Sequence, residues 1–540
     1  MATGRWERLA GTASGAKRYV RGCVRIDTRT LAVFRVFLAV LILADLALRS
    51  RNFTAFYTKD GLVPPDLARE TAPIDVGSVY FLSPDPAVTA GLFVVHGLVA
   101  VGLLVGYRTR IATALSFVFV VLLDLRNPLV LSYADVLFAW LLLWAIFLPL
   151  GARWSVDAVH ADRPPRTAVA TVASGLILLQ MITMYVVNGV HKSGSELWQS
   201  GEAAVLVLGL DDMTFLLGDL VRSVPTALQF GGLAWYYMLL FSWLLVLARG
   251  RLRTALVGAF VTAHLSFALT VRIGAFAYVA LAGVVLFLQA SFWEDLSSLG
   301  RRLESRIARL EGVRPRIDRV RSGLESCQSR LEEVAIAVPR LEVDAGLGER
   351  VPANPYRAVV PLVAVVFAGI VLVSVLSAGG VVDTDASSVD AVDGGVDAFV
   401  DHQTEWRIFA PEPRTTDRYY VFPATTADGD RIDAYNDREL RFERPSDQLQ
   451  TQYGTYRERF YMNSVATPDH PDVPVRLAES ICADRDDGGD AVTHLEMYLI
   501  EEDVTLETID DPANRTREAT LLYRHRCGDA EPIDVAQPPF

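Results

Sequence analysis

The chain has 540 residues, 51% of them hydrophobic, and a mean hydropathy of +0.28, which excludes an ordinary soluble protein and leaves an integral membrane protein. The formal net charge of -12 averages two unlike regions, because from Val381 onward 35 acidic residues face 15 arginines while the rest of the chain is net basic. An acidic, lysine-poor external surface suits high salt, where hydrated carboxylates and net repulsion keep a protein soluble, so a halophilic source is expected.

In chain order, residues 1–29 carry Arg5, Arg8, Lys17, Arg18, Arg21, Arg25 and Arg29 with no secretory cleavage pattern, and read as a basic cytoplasmic N-terminus. Apolar runs near the ~20 residues needed to cross a bilayer follow at 31–48, 87–105, 110–126, 131–149, 167–187, 225–248, 253–271, 273–290 and 357–377. The expected fold is therefore an all-α polytopic membrane domain of about nine transmembrane helices, followed by a small, mainly β extracytoplasmic domain. Arginines concentrate after the even-numbered runs, at Arg108 and Arg110, at Arg153, Arg163 and Arg166, and at Arg249, Arg251 and Arg253. By the positive-inside rule the N-terminus is inside and the C-terminus outside.

Segment 49–86, with Phe53, Phe56 and Tyr57, is expected to lie along the interface, and 195–222 to form a re-entrant or interfacial helix. Residues 291–356 place Leu303, Ile307, Leu310, Ile317, Val320, Leu324 and Leu331 at three- and four-residue steps among charges, which predicts an amphipathic cytoplasmic helical hairpin. Acidic residues mixed through it, and no aromatic platform, argue against nucleic acid. After a linker at 378–400, strands are predicted in the 401–540 domain at Tyr419–Phe422, Leu440–Glu443, Arg459–Tyr461, His494–Ile500 and Thr520–Tyr523, with turns at Asp428-Gly429 and Asp487-Gly488-Gly489.

The chemistry-bearing motifs are few. Cys482 and Cys527 share the external domain and are a disulfide candidate, while Cys23 and Cys327 fall inside. No CxxC, zinc-type His motif, Gly-rich phosphate loop or GxSxG elbow is present, so no metal is expected. Lys17, Lys59 and Lys192 are the only lysines among 51 basic side chains, and Lys192 ends a long apolar run. An amine can lose its proton when desolvated whereas a guanidinium effectively cannot, so Lys192 is the candidate base; the alternative is a snorkelling interface lysine.

Several segments together resemble one family. They are Arg29-Thr30-Leu31-Ala32-Val33-Phe34-Arg35, Phe56 to Pro64, Leu148 to Asp157, Asn188-Gly189-Val190-His191-Lys192 with Trp198 and Gly201, His264-Leu265-Ser266, and Ile273 to Tyr278. Over most of residues 20 to 290 the chain is similar to the HTTM (horizontally transferred transmembrane) family, whose best-known members are the vitamin K-dependent gamma-carboxylases. The segment Gln403 to Pro413 looks like the start of the extra domain that often follows this membrane unit.

The resemblance implies that Lys192 matches the base that deprotonates a hydroquinone, with His191 beside it and His264 near the quinone. Menaquinol or a vitamin K-type hydroquinone would be the cofactor, and a protein or peptide a possible second substrate. Where the animal enzymes carry an Asn-His pair this chain has Ser132-Tyr133-Ala134-Asp135, which puts glutamate carboxylation in question. Asp135 is a candidate partner for Lys192, and Tyr133, Trp198 and Arg272 are the other candidate quinol-binding residues. The competing expectation is a scaffold that binds a lipid, quinone or peptide without turnover. A transporter is disfavoured by the lack of an evident inverted repeat.

Overall fold

The computed structural model describes residues 17–72, 78–161, 164–307, 406–486 and 491–528, with short pieces at 15, 329–330, 332–337, 369 and 536–540. Its first helices are α1 (Thr28–Ser50), α2 (Pro86–Val105), α3 (Thr109–Arg126), α4 (Tyr133–Ala145) and α5 (Val172–Lys192). After these come α6 (Glu196–Ser200), α7 (Glu202–Gly209), α8 (Pro225–Leu240), α9 (Gly250–Thr270), α10 (Phe276–Val285) and α11 (Ala290–Ile307). Strand β1 (Ile26–Asp27) pairs antiparallel with β2 (Ala168–Val169), tying the starts of α1 and α5 together.

Among the described residues, four helices are long and apolar enough to span a membrane, namely α1, α2, α5 and α9, or up to five if the pair α10 and Ala290–Arg302, bent by 94°, is one span. The expectation of nine is corrected for physical reasons. Helix α4 has 13 residues, about 20 Å of rise against a hydrocarbon core of about 30 Å. Helix α8 ends at Leu240, and a turn precedes the short Leu244–Leu247 helix. Helix α3 carries Arg110, Asp124 and Arg126. The run 357–377 and most of the expected 291–356 hairpin lie outside the described residues; α11 covers the hairpin's start.

Burial sorts the long helices: 78% of the apolar window of α5 is inside the protein, against 22% for α2 and for α9. Helix α5 is therefore central and the other two are peripheral. It packs against α4, α8 and α10, and α1 packs against α2 and α10. Gly189 permits the close approach of α8, since a Cβ there would sit 3.0 Å from the backbone nitrogen of Leu240.

The C-terminal domain is an antiparallel sheet of β3 (Thr416–Val421), β4 (Pro423–Thr426), β5 (Arg431–Asp433), β6 (Arg438–Glu439), β7 (Val492–Asp503) and β8 (Arg517–Arg526). Strands β3 and β4 both pair with β7, and β8 pairs with β7 as well. Helices α12 (Tyr456–Val465) and α13 (Asp472–Asp486) complete it. The expected strand at Arg459–Tyr461 is instead part of α12, because Thr455 accepts the Glu458 N–H as an N-cap and Tyr461, Met462 and Val465 then face the core at helical spacing. Leu440–Glu443 lies beyond β6 and forms no strand. Asp428-Gly429 does make the β4–β5 turn, with Gly429 at φ 88°, whereas Asp487-Gly488-Gly489 lies outside the described residues. A disulfide joins Cys482 on α13 to Cys527 after β8.

This domain sits on one end of the helical unit, where α1, α3, α5 and α9 finish and α4, α8 and α10 begin. Gly274, at φ 63° in the α9–α10 turn, lies against the Tyr456 ring, and any side chain there would collide with it.

Candidate functional site at the domain junction

Lys192 is the last residue of α5, at the helix end where a cation is favoured. Its side chain is 1% exposed. Asn188, one turn earlier, shares its face, and both meet the segment that leads into the C-terminal sheet. The Asn188 Nδ2 donates to the carbonyls of Trp406 (2.8 Å) and Ile408 (3.0 Å). The Lys192 Nζ donates to the carbonyl of Ile408 and, at 2.9 Å, to that of Phe409, which also accepts from Trp198 Nε1 at 2.8 Å.

The same Nζ lies 4.0 Å from the centroid of the Trp198 ring. Two carbonyls and an indole face together complement an ammonium. Ser195 Oγ donates to Glu412 Oε2 at 2.6 Å, holding the far end of the segment. Phe409 has φ 51°, a left-handed conformation that non-glycine residues adopt only where surrounding contacts hold it. Lys192 is thus neither in solvent nor paired with a carboxylate among the described residues.

Asp135 is elsewhere. It caps α4 through Ser132, whose N–H and hydroxyl donate to Oδ2 at 2.8 and 2.9 Å. Its other oxygen accepts from Arg49 (3.2 Å) and Arg457 (2.7 Å). Arg49 also reaches Asp45 (2.7 Å), Asp124 (2.6 Å) and the Tyr57 hydroxyl (3.1 Å), and Arg457 bonds Asp45 at 2.6 Å. The expected Asp135–Lys192 partnership is therefore corrected: two arginines, one from α1 and one from α12, take the carboxylate instead. Burial and the Arg49 charge push the Arg457 guanidinium down, but Asp135 and Asp45 offset both and hold it above its ordinary value.

These charges stand at one end of a cavity of about 1460 Å³ between the helices and the C-terminal domain. Asp45, Arg49, Asp135, Arg272 and Arg457 line that end, and Val40, Ala44, Leu48, Phe138 and Tyr278 line the apolar part. Val40, Leu48 and Tyr278 are exposed, and Val40, Ala44 and Leu48 follow one another at four-residue steps along α1. The apolar side thus opens on a stripe that faces lipid.

The remaining expected residues are dispersed. Arg272 lines the cavity and donates to the Gln450 carbonyl. Tyr133 lies ring to ring with Trp406 at 5.8 Å. His264 is fully buried, its Nε2 2.7 Å from the Tyr185 hydroxyl, with Trp235 packed edge-on at 5.5 Å. His191 is half-buried at the end of α5. Lys192 with Trp198 forms one group, Asp135 with Arg272 another on the cavity, and His264 a third. Sequence reasoning missed Asp45, Arg49 and Arg457; the first two were detectable as an i,i+4 charge pair inside an apolar run.

A second ionic patch, of which Asp211, Arg222 and Arg444 also line the cavity, fastens the domain. Asp211 accepts from Arg222 (2.9 Å), Arg444 (2.7 Å) and Arg515 (3.1 Å), and Asp212 from Arg414 and Arg459. Burial pushes both carboxyls up, but the Arg444 hydrogen bond and the Arg222 and Arg444 charges carry Asp211 below its ordinary value, and the Arg414 and Arg459 charges do the same for Asp212. Carboxyls lowered on folding contribute stability that is present above their unfolded pKa of about 4 and is lost as pH falls toward the folded values. Thermal melts across this range should therefore show the melting temperature of the domain junction falling by several degrees as pH drops below about 4, and a flat profile there would remove these two carboxylates from the docking energetics.

The fold and the site together define a multi-pass membrane protein whose C-terminal domain closes a lipid-facing cavity and seals a buried lysine. The model of the HTTM domain matches residues 24–293, half of the chain, and the protein belongs to the HTTM family. No curated protein and no solved structure matches it significantly.

Proposed function

We propose that the protein takes a lipid-borne amphiphile of the hydroquinone class from the bilayer into the junction cavity, its ring toward Asp135 and Arg272 and its isoprenoid tail along the Val40–Ala44–Leu48 stripe. The observation that carries this is the cavity itself, with a lipid-facing apolar side, a charged end, and a volume of about 1460 Å³. That exceeds the roughly 300–1,000 Å³ of ordinary small-molecule sites and suits a ring with a long tail. Menaquinol is the natural choice in a prokaryotic membrane. The arginines Arg108, Arg153 and Arg249, at the helix ends opposite the C-terminal domain, support an outer-leaflet position for the cavity.

Quinol deprotonation and oxygenation with Lys192 as base is the chemistry the resemblance implies. Lys192 can take part only when the carbonyls above it withdraw. Its sealed position favours a second reading, a binding scaffold that holds the amphiphile without turnover. The experiment is menaquinone retention after purification in lipid nanodiscs. Ala44→Trp, which fills the apolar side, should lower retained menaquinone about tenfold, the effect of losing roughly 1.4 kcal/mol of binding. Equal retention in wild type and variant would reject the cavity as the site.

The acidic external surface is proposed as an adaptation to high salt. Unfolding midpoints should rise between about 0.1 M and molar KCl as repulsion among the surface carboxylates is screened. A midpoint that fell with salt would argue against it.

A further inference from the structure

The grip on residues 406–409 differs from the rest of the junction. Elsewhere side-chain ion pairs join the two parts, as Arg457 does with Asp45 and Arg444 with Asp211, together with isolated bonds to single carbonyls such as those of Gln450 and Val130. Here three side-chain donors, Asn188 Nδ2, Lys192 Nζ and Trp198 Nε1, address only main-chain carbonyls, those of Trp406, Ile408 and Phe409. Every polypeptide carries such groups. Selectivity comes from two aromatic seats: Trp406 is fully buried beside Tyr133, and Phe409 packs against the cluster of Trp198, Ala203 and Tyr236. Ser195 reads an acidic residue three positions further on, at Glu412.

The segment lies before β3 and contributes no strand, so its departure breaks no ladder hydrogen bond. Arg407, Pro411 and Glu412 are exposed, and Phe409 is held at φ 51°. We propose that the face formed by the end of α5 and by α6 is a receptor for a polypeptide segment with a turn in its backbone, occupied in this structure by the chain's own residues 406–412, which turn at Ile408 and Phe409. The partner it fits is a second polypeptide presenting an aromatic residue, a second aromatic three positions later and a carboxylate three beyond that. A tethered occupant competes at high effective concentration, so access in trans follows release of the tethered one. This inference does not rest on what fills the cavity.

The three lysines make it testable, because Lys17 and Lys59 are exposed and serve as internal references for amine acylation read by mass spectrometry. In the wild-type chain Lys192 should be protected relative to Lys59. Trp198→Phe combined with Glu412→Gln removes one grip and takes the charge from another, and should speed Lys192 labelling about tenfold, the population change expected for one buried hydrogen bond, with Lys17 and Lys59 unchanged. Glu412→Gln alone, at an exposed position, should give a smaller rise and guards against a double variant that fails to fold. A synthetic peptide of residues 406–413 in excess should return Lys192 of either variant toward the wild-type rate. The same peptide carrying Trp406→Ala and Phe409→Ala should not. Labelling of wild-type Lys192 as fast as Lys59, no rise in either variant, no protection by the peptide, or equal protection by the two peptides would each overturn the receptor.

Discussion

Replacing Arg457 with methionine is expected to destabilise the protein by about 3 kcal/mol, the lower end of the range for removing one partner of a buried pair. The lower end applies because Asp45 is 29% exposed and partly screened, although Asp135 is only 9% exposed. Without the guanidinium, Asp45 and Asp135 share Arg49 alone, and the Val130 carbonyl loses its donor at 3.0 Å. The loss falls on the contact between α12 and the helical unit, so the C-terminal domain should detach before the membrane helices melt, read as a separate first transition. Asp135→Asn in the same chain should recover part of the loss, because the orphaned charge disappears while Ser132 keeps a cap partner. If Arg457→Met unfolds at the wild-type midpoint, the cluster is solvated rather than buried and the polar end of the cavity must be redrawn.

How much of this was legible in the sequence depends on the range of the physics involved. Helices α1, α2, α5 and α9 were readable because a run of about 20 apolar residues has few alternatives. The count failed where the chain breaks inside an apolar run, at Phe241 to Trp243 and after Ala145, since hydropathy does not register where a helix stops. Buried α4 needs only 13 residues because its neighbours, not lipid, satisfy its surroundings. In the C-terminal domain β7 and β8 were visible from their aliphatic and aromatic content, while α12 was not, because Arg459 to Tyr461 looks like a strand until the Thr455 cap sets the helical phase.

The site was half legible for the same reason. Lys192, isolated by composition, proved to be buried, and Asp135 and Arg272 do line one cavity. What covers Lys192 lies 216 residues away, at Ile408, and no local pattern links a helix end to a carbonyl at that distance. Arg457 and Asp135, 322 residues apart, are beyond sequence reach in the same way.

Lys192→Ala should have the largest effect of any single change, and pairing it with Lys192→Arg separates the two roles the residue can have. Alanine removes one of the two donors to each of the Ile408 and Phe409 carbonyls, and the cation over Trp198. Each charged hydrogen bond contributes about 1.5–3 kcal/mol, so the junction should loosen by about 3 kcal/mol or more. If the amine is also a base, aerobic menaquinol turnover should fall by about 10²–10⁴-fold, the usual contribution of a positioned proton acceptor. Arginine restores charge and donors but cannot give up its proton. Expected for a base is a Lys192→Arg protein that keeps most of its unfolding midpoint and loses its turnover. A Lys192→Arg chain as active as wild type would make Lys192 an anchor for residues 406–409 and nothing more. Wild type and Lys192→Ala turning over menaquinol equally would end the catalytic assignment outright, leaving the amphiphile cavity and the backbone receptor to stand on their own measurements.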